Sequence, residues 1–122
     1  MAEKIKIAYI IPSLDAGGAE RFILDLIKNL DREKFAPSLI LFDHGGFFME
    51  EALALEIPVY TLKKRWKFDP INFLMLIFRL RHLRPDIVHT QLGGDIYGRL
   101  AAKILKIKGI ISTEQNVNLH EG

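Results

Sequence analysis

Three short stretches carry residue types that could do chemistry. The first is Gly17-Gly18-Ala19-Glu20, at the mouth of a run with helical spacing. Glycine lets a ligand approach the backbone with no side chain in the way. The unpaired N–H groups of a first helical turn favour an anion. The segment therefore suits a phosphate or a sugar hydroxyl, although a plain turn before a helix uses the same residues. Glu20 complements the helix dipole there. The second stretch is His89-Thr90-Gln91-Leu92-Gly93-Gly94-Asp95. His89 and Gln91 share a parity, so they point the same way from a strand end. A histidine in that position can exchange hydrogen bonds or take a proton near neutral pH; a buried structural histidine is the competing reading. Asp95 can cap the following helix or line the loop. The third stretch, Thr113-Glu114-Gln115-Asn116, follows an apolar run and could cap the strand end or line a cleft.

Other chemistries are excluded by what these loops lack. The first has neither G-x-G-x-x-G nor the lysine of G-x-x-x-x-G-K-[ST], so it is neither a dinucleotide fingerprint nor a P-loop. Asp43 follows the second strand, where a ribose-binding acid sits in nucleotide folds, but the glycine fingerprint is missing. A phosphoacceptor receiver needs an aspartate at the end of its third strand, and here that strand runs into Thr61, Leu62 and Lys63. No serine lies in a G-x-S-x-G elbow. The chain has no cysteine, and His44, His82, His89 and His120 have no paired metal-ligand spacing, so no metal site is expected.

The elements that must position these loops follow from hydrophobic period. Ile5–Pro12 is a β-branched apolar run, a buried central strand. Ala19–Leu30 is a helix with Phe22, Ile23, Leu26, Ile27 and Leu30 on one stripe. Ala36–Phe42 is a second strand, Phe47–Leu55 a short helix, and Val59–Leu62 a third strand. Asp69-Pro70 reads as an N-cap with proline at the first helical position. That helix reaches about Leu83 and stops at Arg84-Pro85. Asp86–Thr90 is a fourth strand. Ile96–Leu105 is a helix with Ile96, Leu100 and Ile104 on one face, and Ile110–Thr113 is a fifth strand. The order βαβαβαβαβ predicts an α/β fold: an open, Rossmann-like, mostly parallel sheet with helices on both faces. By fold analogy its strand order is 3-2-1-4-5. In such a sheet ligands bind at the carboxyl ends of the strands, near the switch in strand order, which is where all three stretches fall.

The 122 residues, 49% hydrophobic and 26% charged, suffice for one compact domain. No closing helix follows the fifth strand, so the chain reads as cut rather than finished. The net charge of +2 is unevenly spread. Residues 63–84 hold seven lysines and arginines against Asp69 alone. This basic region suggests a surface that meets phosphates, anionic lipid or an acidic partner. No nucleic-acid-binding motif accompanies it, and nucleic acid is not expected as a partner. The longest apolar run is Phe73–Phe78, far short of the roughly 20 residues a membrane span requires. Met1–Lys4 leads straight into a strand, with no secretory signal, and the cytoplasm is the simplest compartment.

Certain blocks recur together in a known family: Lys6–Pro12 followed by Gly17-Gly18-Ala19-Glu20-Arg21-Phe22-Ile23-Leu24-Asp25-Leu26, then Pro85-Asp86-Ile87-Val88-His89-Thr90, Gly98-Arg99-Leu100-Ala101-Ala102 and Ile111-Ser112-Thr113-Glu114. On these the whole chain resembles the N-terminal domain of a family 4 glycosyltransferase, the retaining group of GT-B fold. The resemblance implies the acceptor-side half of an enzyme that moves a sugar from a nucleotide-sugar donor to a glycan or lipid-linked acceptor, as in polysaccharide biosynthesis. The donor would be held mainly by a C-terminal domain that these residues do not include. No cofactor is expected in this half, and these residues alone are not expected to transfer sugar. A non-catalytic Rossmann-like binding module is the alternative.

By the same resemblance, Gly17 and Gly18 would lie at the cleft floor. His89 would belong to an H-x-H pattern with a catalytic histidine, and Glu114, Gln115 and Asn116 would form the loop often written T-E-H-N. Gln91, Asp95, Glu114, Gln115 and Asn116 are the further substrate-binding candidates. Gln91 and Gln115 each replace a histidine of the pattern. An amide can still hydrogen-bond a hydroxyl but cannot act as an acid or base near neutrality. Several family members act on lipid-linked acceptors at the cytoplasmic membrane face. Trp66 among Lys63, Lys64, Arg65 and Lys67 has the composition of an interfacial anchor. Contact with an anionic membrane surface and burial of the Phe73–Phe78 helix in the core are both open on these residues.

Overall fold

The computed structural model describes residues 3–11, 18–41, 46–62, 70–91 and 94–113. Along them run β1 (Ile5–Ile11), α1 (Gly18–Lys28), β2 (Phe35–Leu41), α2 (Met49–Leu53), β3 (Val59–Thr61), α3 (Pro70–Leu83), β4 (Ile87–Gln91), α4 (Gly94–Ile104) and β5 (Gly109–Thr113). The strands form one parallel sheet in the order β3-β2-β1-β4-β5. The expected α/β architecture and strand order are both present.

β1 is buried on both faces from Ile7 to Ile11, which is why it reads as a continuous apolar run rather than an alternation. Its odd residues, Ile7, Tyr9 and Ile11, pack with Ile23, Leu24 and Ile27 of α1, Leu39 and Leu41 of β2, and Ala52 of α2. Its even residues, Ala8 and Ile10, pack with Ile40 and Val88, Leu76 and Leu80 of α3, and Ala101 and Ala102 of α4. Thus α1 and α2 cover one face, and α3 and α4 the other.

Apolar spacing gives the buried faces of the helices only in part. In α1 the sheet-facing arc is Ile23, Leu24 and Ile27, whereas Phe22 is largely exposed on the flank. In α4 the expected stripe is wrong: Leu100 and Ile104 point to solvent, and Gly98, Ala101 and Ala102 face the sheet. Small residues let this helix approach the sheet closely. A Cβ on Gly98 would collide with the Thr90 methyl and lie 3.3 Å from Ile10 Cδ1. In α3 the run Phe73–Phe78 divides: Leu76 is buried and Phe73 and Ile77 pack partly against the core, but Leu74, Met75 and Phe78 face outward with Ile71. Pro70 is the first residue of α3 as expected, while Asp69 lies outside the described residues. Arg84 ends the helix in a left-handed turn, φ 52°, and its N–H donates to the Leu80 carbonyl at 2.9 Å.

Asp86 fastens the amino-terminal edge of the sheet. The Lys6 N–H donates to Asp86 Oδ2 at 2.9 Å. The Asp86 N–H returns a bond to the Lys6 carbonyl at 2.8 Å, and the Gly109 N–H donates to the Asp86 carbonyl at 3.2 Å. One residue thereby sets the relative start of β1, β4 and β5.

Candidate functional site

The chain leaves β1 toward β2 and β3 on one side and returns to β4 on the other. The strand order therefore reverses between β1 and β4, the place where open α/β sheets bind ligands at their carboxyl ends. Of the helices that begin at that end of the sheet, two follow the strands that flank the switch: α1 at Gly18, after β1, and α4 at Gly94, after β4. They lie on opposite faces, so two sets of free first-turn N–H groups bracket the switch point.

His89 lies inside this frame, two residues back from the end of β4. It is register partner to Tyr9 and Ile111. The Tyr9 and His89 ring centroids are 5.2 Å apart with planes inclined by 36°. His89 is only 8% exposed, and burial pushes its pKa below the usual 6.5. Burial also raises the Tyr9 hydroxyl above its ordinary value. Both groups are thus held neutral near pH 7, suited to hydrogen bonding and not to carrying charge. Ile111, on the other flank of His89, is 46% exposed, so this side of the sheet is less covered at β5 than at β1. Thr90 is fully buried on the opposite face, beneath Gly98.

Gln91 is the last residue of β4 and pairs in register with Thr113, the last of β5. Asp95 is the second residue of α4, within its first turn and not at the N-cap. Gly18 opens α1. Gly17, Glu114, Gln115, Asn116, Lys63, Lys64, Arg65, Trp66 and Lys67 lie outside the described residues. The fold thus puts the described candidates Gly18, His89, Gln91 and Asp95 on the elements that border the switch point. Among the described residues no group of three or more His, Asp or Glu side chains could hold a metal ion.

Arg21, next to the glycine segment, was not singled out in sequence. Its guanidinium donates to Glu51 Oε1 at 3.0 Å and to Asp25 Oδ1 at 3.1 Å, with a second short contact to Glu51 Oε2. It also lies 5.1 Å from the Phe48 ring centroid. The hydrogen bond from the Arg21 guanidinium holds the Glu51 carboxyl below its usual pKa. Arg21 therefore joins α1 to α2 and fixes how the glycine-led helix sits. The spacing of Arg21 to Asp25, one turn apart, was a visible signal; the link to Glu51 was not.

The sequence profile of Glycosyltransferase Family 4 matches residues 16–118. Among solved structures, a glycosyltransferase from Rickettsia africae ESF-5 aligns over 91% of this chain and 30% of its own, with TM-score 0.70 and 21% identity. MurG of Acinetobacter baumannii aligns over 92% of this chain and 34% of its own, with TM-score 0.62 and 24% identity. The chain thus spans about a third of the length of these structures. No curated protein matches it in sequence.

Proposed function

The chain belongs to glycosyltransferase family 4, and from that premise we propose that it is the acceptor-side half of a retaining enzyme that moves a sugar from a nucleotide-sugar donor to a glycan or lipid-linked acceptor. The observation that carries this reading is the switch point between β1 and β4, bracketed by the N-termini of α1 and α4. Glycine begins each helix there. Such a frame suits the leaving phosphates of a nucleotide donor, whose negative charge grows as the glycosidic bond breaks. The acceptor hydroxyl needs neutral hydrogen-bonding groups and accurate positioning more than a strong base. Gln91 at the end of β4 supplies an amide, and Gln115 would supply another. His89, kept neutral by burial, serves this reaction as a hydrogen-bonding group. Gly17, Asp95, Glu114 and Asn116 complete the proposed acceptor side, and the donor's sugar and base contact a second domain.

The test uses the complete protein that contains these residues. It should turn over at least one nucleotide sugar with retention at the anomeric carbon, read by NMR of the product. Gly18→Trp should abolish turnover while leaving the fold intact. A folded wild type that consumes no nucleotide sugar would sink the proposal, and inversion at the anomeric carbon would remove its retaining part.

A further inference from the structure

We propose that the turn into α2 and the flank of α1 form a subsite for a sugar ring of a neutral glycan, with Phe47 as its stacking platform. Phe47 is 75% exposed, the most of any large apolar side chain among the described residues. Packing does not need it, because Phe48, Met49 and Ala52 carry the contacts of this segment with the core. Gly46 makes the turn with φ 130°, a conformation open to glycine, and its carbonyl accepts the Met49 N–H at 3.2 Å. The turn presents Phe47 to solvent beside Phe48, and the two rings meet edge to face with centroids 5.1 Å apart. The Arg21 guanidinium lies 5.1 Å from the Phe48 centroid and pairs with Asp25 and Glu51. A continuous strip therefore runs from an exposed aromatic ring to two exposed carboxylates.

Chemistry selects the occupant. A pyranose ring has a face of C–H groups and a rim of hydroxyls. The C–H face suits the negative face of an aromatic ring. The hydroxyls donate to carboxylate oxygens, which can accept several bonds each. A purely apolar partner would strip water from the carboxylates and return no hydrogen bond. An acidic sugar would add a further negative charge beside them, since Arg21 already has two carboxylate partners. A neutral glycan satisfies both ends of the strip. α1 and α2 follow the carboxyl ends of β1 and β2, and Arg21 is the fourth residue of α1. The strip thus lies at the same end of the sheet as the switch point, displaced toward β2. It would hold an acceptor sugar beyond the one that reacts. In that role the inference rests on the transferase reading and narrows its acceptor to a glycan.

The test uses the complete protein that contains these residues, with no donor present. Fluorophenylalanine labels the rings, and Phe47→Leu assigns the Phe47 fluorine signal. Maltohexaose, cellohexaose and mannohexaose serve as neutral probes, and hexagalacturonate as an acidic probe of similar length. At least one neutral probe should shift the Phe47 signal and bind in calorimetry. Hexagalacturonate should bind more weakly by about tenfold or more. Phe47→Ala should weaken the neutral probe by about tenfold, whereas Phe47→Tyr, which keeps the aromatic face, should retain it. Asp25→Ala should weaken it severalfold with Phe47 in place. Because Phe47 is exposed, its variants should match wild type in thermal midpoint. A Phe47 signal that no neutral probe shifts overturns the proposal. So does undiminished binding by Phe47→Ala, or binding of hexagalacturonate as tight as that of the neutral probes. Turnover of a nucleotide sugar by the same sample, measured separately, assigns such a failure to the subsite and not to the transferase reading.

Discussion

Tyr9 and His89 face each other across β1 and β4 as register partners, their ring centroids 5.2 Å apart. Because burial depresses the His89 pKa below 6.5, the unfolded chain takes the proton more readily than the folded one. The neutral ring's contribution to stability is therefore complete above pH 6.5. It is lost as pH falls from there through the lower folded value. His89→Gln removes that titration and leaves every carboxylate in place. Thermal midpoints measured from about pH 7.5 down to about pH 5 should fall more steeply for wild type than for His89→Gln. Parallel curves would mean that the ring is not desolvated as described.

Gly98 against Thr90 gives a second prediction. There is no room for a β-carbon between α4 and the sheet, since it would meet a branched side chain that is itself fully buried. Gly98→Val should cost about 1–3 kcal/mol from overpacking. Thr90→Ser removes the opposing methyl and should recover part of that loss in the double variant. Chemical denaturation of the two single variants and the double measures the coupling; strictly additive effects would place the crowding elsewhere.

The same contact explains what the sequence did and did not disclose. The strand runs, the βα alternation and the strand order were legible because each rests on local period and topology. The face of α4 was not legible. Gly98, Ala101 and Ala102 carry too little apolar surface to register as a stripe, while Leu100 and Ile104 mimic one. In α3, Phe73–Phe78 is apolar on nearly every side, so period alone could not separate buried Leu76 from exposed Leu74. The parity of His89 and Gln91 was readable. The depth of His89 was not, because it depends on Tyr9 in a strand 80 residues away. Asp86 passed in sequence as part of a family block, yet its bonds give it a structural role.

That role yields a third prediction. Asp86 uses its side chain as well as its backbone to hold the start of β1 at Lys6. Asp86→Ala deletes only the side-chain bond and should cost about 0.5–1.5 kcal/mol. Asp86→Asn keeps an acceptor oxygen at the same reach and should cost less. The Lys6 amide should lose hydrogen-exchange protection in the alanine variant alone. Unchanged protection there would show that the backbone pair suffices.

The two sides of α3 make opposite predictions for leucines six residues apart. Leu80 is fully buried between α3 and the sheet, in the cluster with Ala8, Ile10 and Val88. Leu80→Ala should cost about 2–5 kcal/mol, because the sheet beneath cannot collapse into the space left behind. Leu74 is 63% exposed, and Leu74→Ala should change stability by less than about 0.5 kcal/mol. Denaturant titration separates the two directly. A rotation of α3 about its axis would exchange these results, bringing Leu74 into the core and Leu80 toward solvent. Since the same rotation would also remove the exposed strip, a large cost at Leu74 would refute the helix orientation. A small cost at Leu74 with a large one at Leu80 leaves Ile71, Leu74, Met75 and Phe78 as apolar surface that folding does not require.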